Sequence, residues 1–199
     1  MKVVKVATDS SSAYYDIVSR LKETNLRFVS VSPADLSGQS NELVITTRNE
    51  VHNVGGIAFA IEDLSESPLV MKGQILSRFL DWAKKVLLIG IDPGSRIGVG
   101  VFYGGSELGV LTANSAENAI GVLKDVVKGL EHSALIVKIG GGEPRSASRL
   151  TSMVHESFPA ARIEIVDESG TSVGRRGGSR ATRDQYAAIR IAFRKGKSR

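Results

Sequence analysis

The sequence predicts an α/β chain of two units, a small one over residues 1–85 and a larger one over residues 86–199. Two observations predict this. Val86–Ile91 is an unbroken apolar run, as expected of a strand buried on both faces. From there to the C-terminus, strand-like and helix-like segments follow one another as β-β-β-α-β-α-β-α, a pattern that places helices against a sheet. The composition permits it: 42% of the 199 residues are hydrophobic and 24% charged, ordinary values for a chain that buries a core.

In the first unit, Val3–Ala7 is a short apolar run with β-branched residues and reads as a strand. Thr8-Asp9-Ser10 can cap a helix, and Ala13, Ile17, Val18 and Leu21 recur at close to helical spacing. Phe28–Val31 is a second strand and Leu43–Thr46 a third. Between them lies the Pro-, Gly- and Ser-bearing loop Ser32–Ser40. Asn53–Gly56 breaks any helix, and residues 50–72 carry no clear period. Ile75, Phe79, Leu80 and Trp82–Ala83 give an amphipathic helix that closes on Lys84-Lys85, cations suited to a helix C-terminus. Trp82 is then expected in core or interdomain packing. No motif in residues 1–85 ties to a chemistry.

In the second unit the strand Val86–Ile91 ends in Asp92-Pro93-Gly94-Ser95-Arg96. Gly98–Tyr103 is the next strand, with two glycines where backbone comes close to a neighbour. Gly104-Gly105-Ser106 turns the chain into Leu108–Thr112. Ser115–Leu130 is helical, with Ala119, Val122, Leu123, Val126 and Val127 on one stripe. Ala134–Ile139 is a strand running into Gly140-Gly141-Gly142, Ser146–Phe158 a helix, and Arg162–Val166 a strand ending in Asp167-Glu168. Arg180–Arg194 is the last helix, with Tyr186, Ile189 and Phe193 on one face.

Composition narrows the chemistry. There is no cysteine, which excludes disulfides, thiolate zinc sites and a cysteine nucleophile. No apolar stretch approaches the roughly 20 residues that span a bilayer. The opening MKVVKVATDSSS lacks the apolar core of a signal peptide. The expectation is a soluble, cytoplasmic protein with no membrane partner. The net charge of +5 is unevenly placed. Residues 171–199 hold nine Lys and Arg against the single acid Asp184, whereas residues 1–170 hold 17 basic and 20 acidic residues. A basic segment of this kind suits a polyanion such as nucleic acid, although terminal charge runs are also common as solvated tails. Arg175, Arg176, Arg180 and Arg183, on and after the glycine-rich stretch Gly174–Gly178, are the candidate phosphate contacts. His52, His132 and His155 are scattered and read as structural or surface residues. Gly140–Gly142 fits neither Walker nor dinucleotide spacing.

Three acids stand at suggestive places. Asp92 ends the first strand of the second unit, Glu168 follows its last strand beside Asp167, and Asp184 opens the last helix. If those strands are parallel neighbours, their C-terminal ends share one sheet edge, where α/β sheets place their sites. Converging carboxylates repel one another unless a divalent cation neutralises them. A hard ion such as Mg²⁺ takes carboxylate and water ligands without His or Cys. Each acid alone reads better as a helix cap or a loop residue, and only their joint placement at strand ends favours a site.

Ile89-Gly90-Ile91-Asp92-Pro93-Gly94-Ser95-Arg96, followed by Gly98-Val99-Gly100-Val101, resembles the opening motif of the RuvC-type resolvases and their YqgF relatives, members of the RNase H-like superfamily. Ile136–Gly142 is similar to the YqgF fourth strand and its glycine turn. Val166-Asp167-Glu168-Ser169 resembles the Asp-Glu-Arg motif of the fifth strand, and Arg183-Asp184-Gln185-Tyr186-Ala187-Ala188 the Asp-x-x-Ala-Ala helix. The resemblance covers residues 86–195. It implies an RNase H-like five-stranded mixed sheet with helices on both faces and Val86–Ile91 central. It implies Asp92, Glu168 and Asp184 as catalytic metal ligands, with Mg²⁺ or Mn²⁺ as the ion. The expected activity is a metal-dependent endonuclease on structured or junction-containing nucleic acid, DNA foremost, in recombination. A homodimer would follow from the two symmetric strands of a four-way junction.

Two departures support a second hypothesis, a nucleic-acid-binding protein that keeps the fold with impaired catalysis. The resolvases end their fourth strand in a Glu, whereas this chain has Ile139 and Gly140, with Glu143 just beyond. Ser169 stands where the Asp-Glu-Arg motif has its Arg. A third hypothesis, a sugar-kinase or actin-type ATPase, rests on the Asp-x-Gly-Ser of the first strand. It ranks last, because residues 1–85 lack a matching Asp-Gly turn.

Overall fold

A computed structural model describes residues 3–36, 43–167 and 180–198, without the side chains of 180–184 and 198. The chain divides into two compact units, Met1–Arg78 and Phe79–Arg199.

The first unit is a parallel sheet with two helices. Its strands are β1 (Val4–Val6), β2 (Phe28–Ser30), β3 (Leu43–Thr46) and β4 (Ile57–Ala60), in the order β2-β1-β3-β4. All of these pairings are parallel. Helix α1 (Ser11–Thr24) starts at Ser10, whose hydroxyl accepts from the Ala13 N–H, and ends at Asn25 in the left-handed region (φ 57°). Helix α2 (Pro68–Ser77) starts on a proline, whose missing N–H costs nothing at a first helical position. Val4, Val6, Ile17, Leu21, Ile45, Met71 and Ile75 form the core.

Two expectations change here. Residues 50–72 hold β4 and the start of α2, because Ile57–Ala60 is too short to show a period on its own. The helix expected over Ile75–Ala83 instead ends at Ser77, and Trp82–Lys84 is a separate 3-10 turn. Trp82 is not a core residue: it is 60% exposed, with the Lys85 ammonium 5.9 Å from its ring centroid.

The second unit carries the expected mixed sheet. Its strands are β5 (Val86–Asp92), β6 (Ile97–Tyr103), β7 (Ser106–Ala113), β8 (Ala134–Gly140) and β9 (Arg162–Val166). A sixth, the two-residue β10 (Lys197–Ser198), pairs antiparallel with the edge of β9, in a charged stretch with no strand signal of its own. The order is β10-β9-β8-β5-β6-β7. β5 is central, parallel to β8 and antiparallel to β6, and β8 is parallel to β9. The β6–β7 hairpin turns through Gly104 and Gly105 at φ +55° and +79°, which L side chains adopt only with strain. Five strands in the order β7-β6-β5-β8-β9, with only β6 antiparallel to its neighbours on both sides, make an RNase H-like sheet.

Helices α3 (Ala116–Gly129) and α4 (Pro144–Ser157) cover one face with Ala119, Leu123, Val126, Leu150 and Val154. Helix α5 (Arg180–Phe193) covers the other, crossing β7, β6, β5 and β8. The face of α5 turned to the sheet is Ala188, Ile191 and Ala192, each at most 3% exposed, while Tyr186 and Phe193, placed on one face by the sequence, are 63% and 60% exposed. The reason lies underneath. Gly90 and Gly100 are register partners on β5 and β6, and only small side chains fit where α5 crosses them.

Candidate functional site

The parallel strands β5, β8 and β9 bring their C-terminal ends to one edge of the sheet. Ile91 is level with Ile139, and Gly140 with Val166, so Asp92 stands at the same height as Gly140 and Val166. On its other side Asp92 pairs with Gly98 of β6. The half-buried carboxyl of Asp92 is therefore flanked on both neighbouring strands by residues without side chains. Strand alternation puts Asp92 on the same face as Gly90, two residues earlier, and that face is the one α5 covers. Asp184 lies on α5 one helical turn before Ala188, the residue that meets Gly90.

The other candidate residues divide as follows. Glu168, Arg175 and Arg176 lie outside the described residues, as do the side chains of Arg180, Arg183 and Asp184. Among the described residues, no group of three or more His, Asp or Glu is arranged to hold a metal ion. Asp167 follows β9 exposed, and its carbonyl accepts from the Arg194 guanidinium at 3.0 Å. Glu143 is an exposed residue immediately before α4, and its side chain makes no cap hydrogen bond. Ile139, where the resolvase pattern calls for a Glu, is fully buried.

Beside this edge, an ionic network that sequence reading missed fixes the end of α5. Glu164, 4% exposed in the middle of β9, pairs with Lys138 of β8 at 3.4 Å and with Arg162 at 2.5 Å. The Lys138 ammonium also donates to the Arg194 carbonyl at 2.6 Å, placing a cation where the helix ends in unsatisfied carbonyls. The available signal was a charge among the apolar residues of each of two strands, Lys138 in ALIVKIG and Glu164 in RIEIV. A buried charge needs a partner.

The first unit has its own constellation, also missed. The Glu50 carboxylate accepts from the Thr8, Thr46 and Thr47 hydroxyls at 2.6, 2.9 and 2.6 Å and from the Asp9 N–H at 2.8 Å. It thereby ties the C-terminal end of β1 to that of β3. Desolvation alone would raise its pKa, but the bonds from Thr47, Thr8, Asp9 and Thr46 outweigh it and hold the group at about 2. The strand order reverses between β1 and β3, the place where parallel α/β sheets open a crevice. A cleft of about 480 Å³ lies there, with Asp16, Glu50 and Glu62 among its lining residues. Those acids make it unfavourable for phosphate.

No family model and no curated protein matches the chain. Among solved structures, it is similar to Marinitoga piezophila Argonaute in complex with 5′ OH guide RNA, at 12% identity and a TM-score of 0.30 over 84% of this chain and 40% of that one. A second structure, of the same Argonaute with guide RNA and target DNA, gives 11% identity and a TM-score of 0.29 over 84% and 39%. The alignments thus span about 40% of those longer chains. The second unit's fold class rests on its own strand order and register. Among the described residues, no helix is long and apolar enough to cross a membrane.

Proposed function

We propose that the second unit binds nucleic acid and is a metal-dependent endonuclease for structured or junction-containing substrates, DNA foremost. The observation that carries this reading is the position of Asp92. It is a carboxylate at the C-terminal end of the central strand, between Gly98 and Gly140, on the face crossed by the helix that bears Asp184. In this reading Glu168 completes the set, and Arg175, Arg176, Arg180 and Arg183 hold the phosphate backbone. The donors are oxygen atoms only, which suits Mg²⁺ or Mn²⁺. The bound ion would supply an activated water and neutralise charge on the scissile phosphate. Asp92 would orient the ion from a rigid strand. The side-chain-free neighbours would leave room for a phosphate to approach.

The test is cleavage of branched and linear DNA in Mg²⁺ or Mn²⁺ by the full chain and by Asp92→Asn. The substitution keeps the shape and removes the charge, so it should abolish cleavage and leave binding within about twofold. No cleavage of any substrate by the unsubstituted chain would overturn the nuclease reading. Equal cleavage by both would overturn the role of Asp92.

A second reading, binding without efficient cleavage, is favoured by Ile139 and Gly140 at the fourth-strand end, where the resolvases carry a Glu. Binding of branched DNA with no metal-dependent cleavage would select it.

A further inference from the structure

Helix α5 turns Ala188, Ile191 and Ala192 to the sheet and its aromatic residues outward. Tyr186 is 63% exposed and Phe193 60% exposed, and the exposed Arg190 lies between them. Spacings of four and three residues put these three side chains on one stripe of the helix. Arg183 precedes Tyr186 by three residues, so the sequence repeats cation, aromatic, cation, aromatic along this helix. The Phe193 ring is braced by the buried Phe102, edge to face at 4.7 Å, with most of its own surface outward. Exposed Lys195 and Lys197 follow. Burying Tyr186 and Phe193 in the sheet would have been the ordinary outcome for an amphipathic helix; Gly90 and Gly100 exclude it.

We propose that this stripe is a binding surface for single-stranded nucleic acid, on which unpaired bases stack against Tyr186 and Phe193 while Arg190 and the flanking cations follow the phosphates. The proposal rests on the nucleic-acid-binding reading above and adds the strand state of the ligand. Charge complementarity favours a polyanion, since residues 171–199 carry nine basic residues and one acid. Exposed aromatic rings between cations favour one with free base faces, because stacking on a side chain needs an unstacked base and a closed duplex offers none along its length. Seven residues of helix separate the rings by roughly 10 Å along the axis. Stacked bases rise only about 3.4 Å each. About three such rises match that separation, so a strand meets both rings with bases about three steps apart.

The experiment is fluorescence anisotropy at fixed salt with the full chain, using a fluorescein-labelled single-stranded oligonucleotide and the blunt duplex of the same sequence. Tyr186→Ala should weaken single-strand binding roughly 5- to 100-fold, the range for loss of one stacked base. It should change duplex binding less than twofold and leave the salt slope unaltered. Tyr186→Trp should retain single-strand binding. Circular dichroism confirms that both variants fold. If the unsubstituted chain binds the single strand and Tyr186→Ala binds it equally well, the stripe is overturned and the nucleic-acid reading stands. Equal weakening for single strand and duplex overturns the single-strand assignment. If the unsubstituted chain binds no nucleic acid, both readings fall. If it sediments as a dimer that Tyr186→Ala converts to monomer, with no change in single-strand affinity, the stripe is instead a contact between copies of this chain.

Discussion

A β-carbon on Gly90 would lie 2.3 Å from the carbonyl oxygen of Ala188, and 2.8 Å from both the backbone nitrogen and the β-carbon of Ala192. That closeness is what lets α5 lie directly on β5. It also sets the height of the helix bearing Asp184 over the strand that ends in Asp92. Backbone cannot yield as a flexible side chain can. Gly90→Ala should therefore destabilise the second unit by about 3 kcal/mol or more, as measured by chemical denaturation. Gly121→Ala is the control: an added β-carbon there meets nothing within 4 Å, inside a helix. It should stabilise by roughly 0.5–1 kcal/mol. Equal effects at both positions would refute the close-packing argument.

Glu50 should make the first unit acid-sensitive. Its folded-state pKa of about 2 lies below the ordinary 4.5, so the carboxylate stabilises the fold fully above pH 4.5. That contribution is lost progressively as the pH falls toward 2. Glu50→Gln removes the charge-assisted bonds to Thr8, Thr46 and Thr47 and should cost about 2 kcal/mol at neutral pH. It should also flatten the pH dependence between 4.5 and 2. Parallel pH–stability curves for the two proteins would show that Glu50 does not hold β1 to β3 in this way.

The pairing of Lys138 with Glu164 should be worth more to break from one side than to replace. Lys138→Met leaves a carboxylate that is 4% exposed with Arg162 as its remaining ion-pair partner among the described residues, and leaves the Arg194 carbonyl without its cation. The expected loss is about 2–3 kcal/mol, below the usual cost of orphaning a buried charge because Arg162 stays. Adding Glu164→Leu should recover part of that loss. A double variant no more stable than Lys138→Met would contradict this.

The basic segment should carry the salt dependence of nucleic-acid binding. Replacing Arg175, Arg176 and Arg180 with Ala should weaken binding roughly uniformly across sequences. It should reduce the slope of log affinity against log salt by up to about one per lost phosphate contact. An unchanged slope would remove these residues from the contact surface.

Much of this architecture was legible in the chain. Val86–Ile91 announced a central strand because six apolar residues in a row have no solvent face to present. Asp92, closed off by Pro93-Gly94, announced the end of that strand. Register could not be read, because the partner of Asp92 is set by how β6 and β8 pair with β5. Hence the glycines on both sides of Asp92 emerged only in three dimensions. The orientation of α5 could not be read from its hydrophobic pattern either. The sequence placed Tyr186 and Phe193 on one face without saying which way it turns, and two glycines distant in sequence bring Ala188 and Ala192 against the sheet instead. The roles of Glu50 and Glu164 needed the fold as well: a lone acid shows no period, and Thr8 and Lys138, which complete their sets of partners, come from strands far along the chain. Local composition determined where the strands and most helices of this protein lie. Only tertiary packing, which weighs side-chain size across sequence-distant contacts, decided which faces they bury and which they leave exposed.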